Sequence, residues 1–150
     1  MPGRKPLPRR DVYADELTVR FARTFPADLK IMNQVIDEIM KIILETNCAA
    51  DKEFEVDLAL REALSNAVLH GCGLDACKEV SVWVACADSV GVLVVVRDPG
   101  VGFDPTSVPS PVTGENIFSH HGRGIFLINR LMDEVRFERG GTEIHMLKRR

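Results

Sequence analysis

From Val90 to Arg97 the chain runs V-G-V-L-V-V-V-R and places no charge before its last residue. So continuous a β-branched stretch does not alternate between a wet and a dry face, and it predicts a central strand covered by other structure. Lys78 to Ala87 is also rich in valine and is separated from it by Asp88-Ser89. The two segments therefore read as paired strands, Lys78–Ala87 and Val90–Asp98. Whatever else the chain does, it must supply a layer to bury them.

The upstream sequence supplies that layer. Leu17, Val19, Phe21 and Phe25 recur at alternating positions between Glu16 and Phe25, a half-buried strand ended by Pro26. Asp28 can cap a helix from Leu29 to about Asn47, on which Met32, Val35, Ile36, Ile39 and Ile43 form one apolar stripe. A second helix is expected from about Phe54 to His70, burying Val56, Leu60, Ala63, Leu64, Ala67 and Val68, with Gly71 and Gly73 stopping it. Downstream, Pro105, Pro109, Pro111 and Gly114 break the pattern over residues 104–121 and predict a long loop, of a length often used as a lid. Gly124 then opens a short helix through Ile125, Leu127, Ile128 and Leu131, and Val135/Phe137 and Ile144/Met146 alternate about a two-residue turn at Gly140-Gly141. This order of elements suits a two-layer α/β sandwich with an antiparallel or mixed sheet.

With 150 residues, 45% of them hydrophobic and 27% charged, the chain can build one core and no more, so a single domain over residues 16–150 is expected. Arg4, Lys5, Arg9 and Arg10 make residues 1–15 a basic, proline-rich extension, expected to be disordered. Removing those four positive charges from the formal net charge of −3 leaves −7 on the remainder. An acidic body argues against direct binding to nucleic acid. No apolar stretch is long enough to span a bilayer, so no membrane association and a cytoplasmic location are expected. Cys48, Cys72, Cys77 and Cys86 contain no C-x-x-C pair and read as reduced thiols.

Three short segments carry chemistry. Glu62, Asn66 and His70 fall on one polar helix face, where a carboxamide oxygen suits Mg²⁺ and a carboxylate is left free to act on a proton. Asp98 ends a buried strand and leads into Pro99-Gly100-Val101-Gly102, whose glycines let the backbone approach a ligand closely. A carboxylate there can accept a hydrogen bond from the exocyclic amine of adenine and would repel the oxygen of guanine. Gly122-Arg123-Gly124 stands immediately before a helix, where backbone N–H groups and the helix dipole favour phosphate. Gly141-Thr142 adds a hydroxyl able to reach the adenine edge. Each segment alone is more often an ordinary helix face or turn; it is their combination that points to a nucleotide. The sequence has no G-x-x-x-x-G-K-[ST], and Gly100-Val101-Gly102-Phe103-Asp104-Pro105 lacks the third glycine of a dinucleotide fingerprint. H-R-D and D-F-G are also missing, and Ser65, His120 and His121 form no nucleophile arrangement.

Together, E-A-L-S-N-A-V-L-H-G at 62–71, D-P-G-V-G-F-D-P at 98–105, H-G-R-G-I-F-L-I-N-R-L-M-D-E-V at 121–135 and G-T-E-I-H-M at 141–146 resemble the GHKL ATPase superfamily. Within it they look most like the anti-sigma factor serine/threonine kinases. The resemblance implies the Bergerat (histidine-kinase-like ATPase) fold, with helices packed on one face of a mixed, largely antiparallel sheet. It also implies roles: Glu62 as general base, Asn66 as Mg²⁺ ligand, Asp98 as adenine reader, and Gly100 and Gly102 beneath the base. Gly122, Arg123 and Gly124 would form the phosphate turn, and Thr142 a second adenine contact. ATP and Mg²⁺ would be the cofactors, a sigma factor and an anti-sigma factor antagonist the partners, and a homodimer the assembly. Two other readings stay open: a non-catalytic ATP-binding partner-switching module, and a stand-alone histidine-kinase-type ATPase domain. The second would need a phosphoacceptor helix, and residues 29–47 contain no His.

Overall fold

The computed structural model describes residues 16–102 and 120–150. The expected disordered extension at 1–15 lies outside the described residues, as does all but the end of the expected lid at 104–121. Among the described residues the elements run β1 (Thr18–Pro26), α1 (Leu29–Thr46), α2 (Glu53–Asn66), β2 (Glu79–Ala87), β3 (Gly91–Arg97), α3 (His120–Leu131), β4 (Glu134–Glu138) and β5 (Glu143–Arg149). The strands form one sheet in the order β1-β2-β3-β5-β4. All four pairings are antiparallel, so no parallel pair is seen among the described strands. β3 occupies the centre, as its unbroken valine run requires, and each of its residues from Gly91 to Val96 is buried.

The helices form the second layer. Asp28 caps α1 by accepting a hydrogen bond from the Ile31 N–H at 3.0 Å, and Asn47 ends it in the left-handed region at φ 53°. The stripe Met32, Val35, Ile36, Ile39 and Ile43 is buried throughout. It packs with Leu60 and Leu64 of α2, Ile128 of α3, and Val82, Val84, Val94, Val96 and Met146 of the sheet in one core cluster. Fully burying such a side chain contributes about 1.5–3 kcal/mol. The intervening strand residues point the other way, and Trp83, Ala85, Leu93, Val95 and Leu147 form a smaller cluster on the opposite face.

β1 departs from simple alternation. Leu17, Val19, Phe21 and Phe25 were expected on one face, but the register shifts between Val19 and Phe21. An extra residue at that point reverses the facing of the strand beyond it. Leu17 and Val19 therefore pack with the smaller cluster, and Phe21 and Phe25 with the helices.

Candidate functional site

The last turn of the second helix is not α-helical. α2 closes at Asn66 and the chain continues as a π-helical turn over Ala67–Gly71, with the Cys72 N–H donating to the Ala67 carbonyl at 2.9 Å. Such turns are rare and concentrate at functional sites. Here the widened turn carries Gly71 up to the end of β3. An added Cβ at Gly71 would collide with the Asp98 carboxylate, and one at Gly100 would come 2.6 Å from the Gly71 carbonyl oxygen. Sequence reasoning read Gly71 only as a helix stop. The fold uses its missing side chain to seat Asp98, a contact between residues too far apart for any local pattern to reveal.

Asp98 is positioned from two sides. Its N–H donates to the Thr142 carbonyl at 2.9 Å, which ties β3 to the start of β5. Its Oδ1 accepts from the Gly100 N–H at 2.8 Å. Burial pushes the Asp98 carboxyl above its usual range, and the Gly100 N–H partly opposes the rise. A carboxylate has a second oxygen that can accept from a donor on a ligand. Gly102 lies at φ 77°, a conformation suited to glycine, and packs so closely on the Gly140 carbonyl that a Cβ would overlap it.

The hairpin that brings Thr142 here differs from its expected form. β4 and β5 are joined by the four residues Arg139–Thr142, not by a two-residue turn, and Arg139, Gly140 and Gly141 all have positive φ. Thr142 closes this connection by donating its hydroxyl to the Arg139 carbonyl at 2.8 Å. The longer loop frees the Thr142 carbonyl to face Asp98 while Glu138 and Glu143 remain paired.

Between these groups lies a cavity of about 260 Å³. Asn66, His70, Asp98, Gly102 and Thr142 give it polar edges, and Ala63, Ala67, Val96, Ile125, Ile128 and Ile144 give it apolar walls. Apolar walls with a few converging polar groups suit a flat heterocycle held by its edge. These wall residues were read in the sequence only as core positions, since helical and strand periodicity does not distinguish a residue facing the core from one facing a cavity.

On the side of the cavity lined by Asn66 and Ile125, α3 approaches α2. A Cβ at Gly124 would come 2.9 Å from Glu62 Oε2 and 3.1 Å from Asn66 Nδ2. The glycines of Gly122-Arg123-Gly124 were expected to precede the helix. Instead α3 begins at His120, so Gly122 and Arg123 lie in its first turn and Gly124 begins the second. Glycine in a helix costs about 1 kcal/mol, and here it is what lets α3 close on Glu62 and Asn66. Only the first N–H groups of an α-helix lack a partner within it, so Gly122 still presents one, whereas those of Arg123 and Gly124 fall within the helical ladder.

Asn66 Oδ1 is buried and accepts no hydrogen bond among the described residues. An acceptor left in that state costs about 1–3 kcal/mol. A hard cation such as Mg²⁺ would satisfy it, since such ions take oxygen ligands from one or two side chains and complete their shell with water and phosphate. The structure thus places Asn66, Asp98, Gly102 and Thr142 on the cavity, Gly100 against Asp98, and Glu62 against Gly124 next to Asn66; Glu62, Gly100 and Gly124 do not line it themselves.

Comparison with known proteins agrees with this geometry. The histidine kinase-like ATPase domain family matches residues 25–148. Anti-sigma F factors of Geobacillus stearothermophilus and Geobacillus kaustophilus (strain HTA426) are each 30% identical over 115 residues, which is 73% of this chain and 78% of theirs. The anti-sigma F factor of Priestia megaterium is 25% identical over the same shares. The chain belongs to the histidine kinase-like ATPase domain family, the GHKL superfamily, among members that resemble the anti-sigma F factors.

Proposed function

We propose that this protein is an anti-sigma factor serine/threonine kinase: it binds Mg-ATP, holds a sigma factor, and phosphorylates a serine or threonine of an anti-sigma factor antagonist. The observation that carries the reading is the buried Asn66 Oδ1, without a hydrogen-bond partner among the described residues, close to Glu62 under the glycine of α3. This pairing supports a metal ligand on the cavity and a proton acceptor next to it, and Asp98 on the same cavity suits adenine. The likeness to anti-sigma F factors supports the choice of partners. The reading includes residues 16–150 acting as one domain, a homodimer, and a cytoplasmic location. None of the described helices is long and apolar enough to cross a membrane.

Asp98 would take the adenine amine on its second oxygen, with Thr142 on the same edge and Gly100 and Gly102 beneath the ring. Asn66 Oδ1 would hold Mg²⁺, which when bound neutralises charge on the phosphate oxygens. The N–H of Gly122, in the first turn of α3, would receive phosphate at the head of the helix, with Gly124 admitting the close approach of α3 to Glu62 and Asn66. Glu62 would orient the antagonist's hydroxyl in line with the γ-phosphorus and accept its proton. The hydroxyl oxygen bonds to phosphorus as the bridging oxygen leaves with ADP. Transfer of this kind depends chiefly on positioning and charge, both of which a rigid helix face supplies.

The test is incubation of the chain with an anti-sigma factor antagonist and Mg-ATP, followed by mass spectrometry for phosphoserine or phosphothreonine. The reading expects stoichiometric label on the antagonist. It also expects Glu62→Gln to lose about 10²-fold or more in transfer rate while still binding ATP. Unlabelled antagonist with ATP bound would leave a non-catalytic binding module in its place, and a wild-type rate in Glu62→Gln would remove Glu62 from the chemistry.

A further inference from the structure

We propose that Arg97 and Glu143, with His145 behind them, are positioning residues for the nucleotide: they clamp the ends of β3 and β5 together and so fix Asp98 and Thr142 relative to each other. The inference rests on the reading of Asp98 as the adenine contact. None of the three residues lines the cavity, so their part in binding would be exerted through the backbone.

Their place follows from the pleat of the sheet. Val94, Val96, Ile144 and Met146 pack with the helices. The alternate residues Arg97, Glu143 and His145 therefore face the other way, toward the side where Trp83, Val95 and Leu147 cluster. Arg97 and Glu143 are opposite each other at the end of the β3–β5 ladder. Asp98 follows Arg97 and Thr142 precedes Glu143, and this next step is closed by the Asp98 N–H donating to the Thr142 carbonyl at 2.9 Å. The clamp thus sits behind two groups that line the cavity, with one thickness of sheet between them.

An exposed ion pair holds little in place, because water competes for both partners. This one is buried and multiply tied. Glu143 is 2% exposed and both of its oxygens are engaged: Oε2 accepts from Arg97 Nε at 2.6 Å, and Oε1 lies 2.7 Å from His145 Nε2. His145 is 3% exposed, and its Nδ1 lies 3.2 Å from Arg136 Nη2 on β4. The Arg97 guanidinium lies over the Trp83 ring of β2, 5.3 Å from its centroid. A chain of polar contacts therefore crosses four strands behind the site. Removing one member leaves the others buried with an unmet group and lets the two strand ends part. Glu62 and Asn66 stand on α2, outside this ladder. Loss of the clamp should accordingly weaken the grip on adenine and spare the transfer step.

The experiment measures Mg-ATP affinity of the full chain by titration calorimetry, and KM and kcat for transfer to the antagonist. Glu143→Gln and Arg97→Gln should each weaken ATP about 10-fold, and the double variant no more than the weaker single one, because the pair acts as a unit. KM for ATP should rise by the same factor with kcat within about 2-fold. Ile43→Ala, a core truncation that lines neither the cavity nor the clamp, should lose stability yet keep ATP affinity within about 2-fold, which separates positioning from general loosening. Wild-type ATP affinity in Glu143→Gln and Arg97→Gln, or an equal loss in Ile43→Ala, would overturn the clamp and leave the nucleotide site standing. Absence of ATP binding in the wild type would instead remove the site and the clamp with it. Arg97 has 29% of its side chain exposed, so its variant decides the matter even if Glu143→Gln fails to fold.

Discussion

Replacing Asp98 by Asn is the most direct probe of the adenine edge. In the structure one carboxylate oxygen already accepts from the Gly100 N–H, so the variant can keep that bond by turning its own oxygen toward it. The amide nitrogen then faces the adenine amine, donor against donor. Hydrogen bonds to charged groups contribute about 1.5–3 kcal/mol, so a loss of about 2 kcal/mol, or roughly 30-fold in Kd, is expected. In a thermal-shift assay, ATP at about 100 times the wild-type Kd adds about 2.7 kcal/mol to wild type, and at about 3 times the variant's Kd only about 0.8 kcal/mol. For a chain of this size that is about 5–10 °C against roughly 2 °C. Mg-GTP should shift neither protein. Equal shifts by ATP in both proteins, or equal shifts by ATP and GTP in wild type, would refute the placement of adenine at Asp98. The apo proteins supply an internal check. Burial raises the folded pKa of Asp98 above its ordinary 3.8, so the acid weakens the apo fold progressively as pH rises from there through the folded value. Apo Asp98→Asn should therefore gain on wild type as pH rises to neutrality.

Asn66→Ala should leave apo stability unchanged or slightly raised, because it removes a buried acceptor that has no partner among the described residues, and should abolish the dependence of ATP affinity on Mg²⁺. Titration calorimetry with and without EDTA would measure this. Gly124→Ala puts a methyl group 2.9 Å from Glu62 Oε2, the end of a side chain that can swing away; phosphoryl transfer should fall by about 10-fold or more with ATP affinity held within about 3-fold, read from parallel transfer and binding assays. Glu143 is buried between Arg97 Nε at 2.6 Å and His145 Nε2 at 2.7 Å. Burial alone would raise its pKa, but the hydrogen bonds from His145 and Arg97 outweigh it and hold the carboxyl below 4.5. Its stabilising effect is thus present above pH 4.5 and lost as pH falls through the lowered folded value. Glu143→Gln should cost about 1–3 kcal/mol at neutral pH in urea unfolding, with the gap narrowing once the wild-type carboxylate is protonated.

Much of this protein is local information. The strands and helices arise from periodicity over a few residues, Asp28 as a cap and Asn47 as a left-handed end from their own side chains, and the central place of β3 from its lack of any polar face. Glu62 and Asn66 share a face because four residues make about one helical turn, and the Asp98 turn announces itself by its glycines. Other features depend on segments that arrive from elsewhere in the chain. The bulge in β1 reverses the facing of Phe21 and Phe25 without leaving a mark on their alternation. The first turn of α3 includes glycines that propensity assigns to a turn, because close approach to Glu62 and Asn66 requires them there. Gly71 beneath Asp98 and the Thr142 carbonyl on the Asp98 N–H are contacts across elements distant in sequence. The sequence alone determined the elements and most of the chemistry they carry. Which groups meet was decided only by packing, because the energy of a tertiary contact belongs to two segments at once and neither holds it alone.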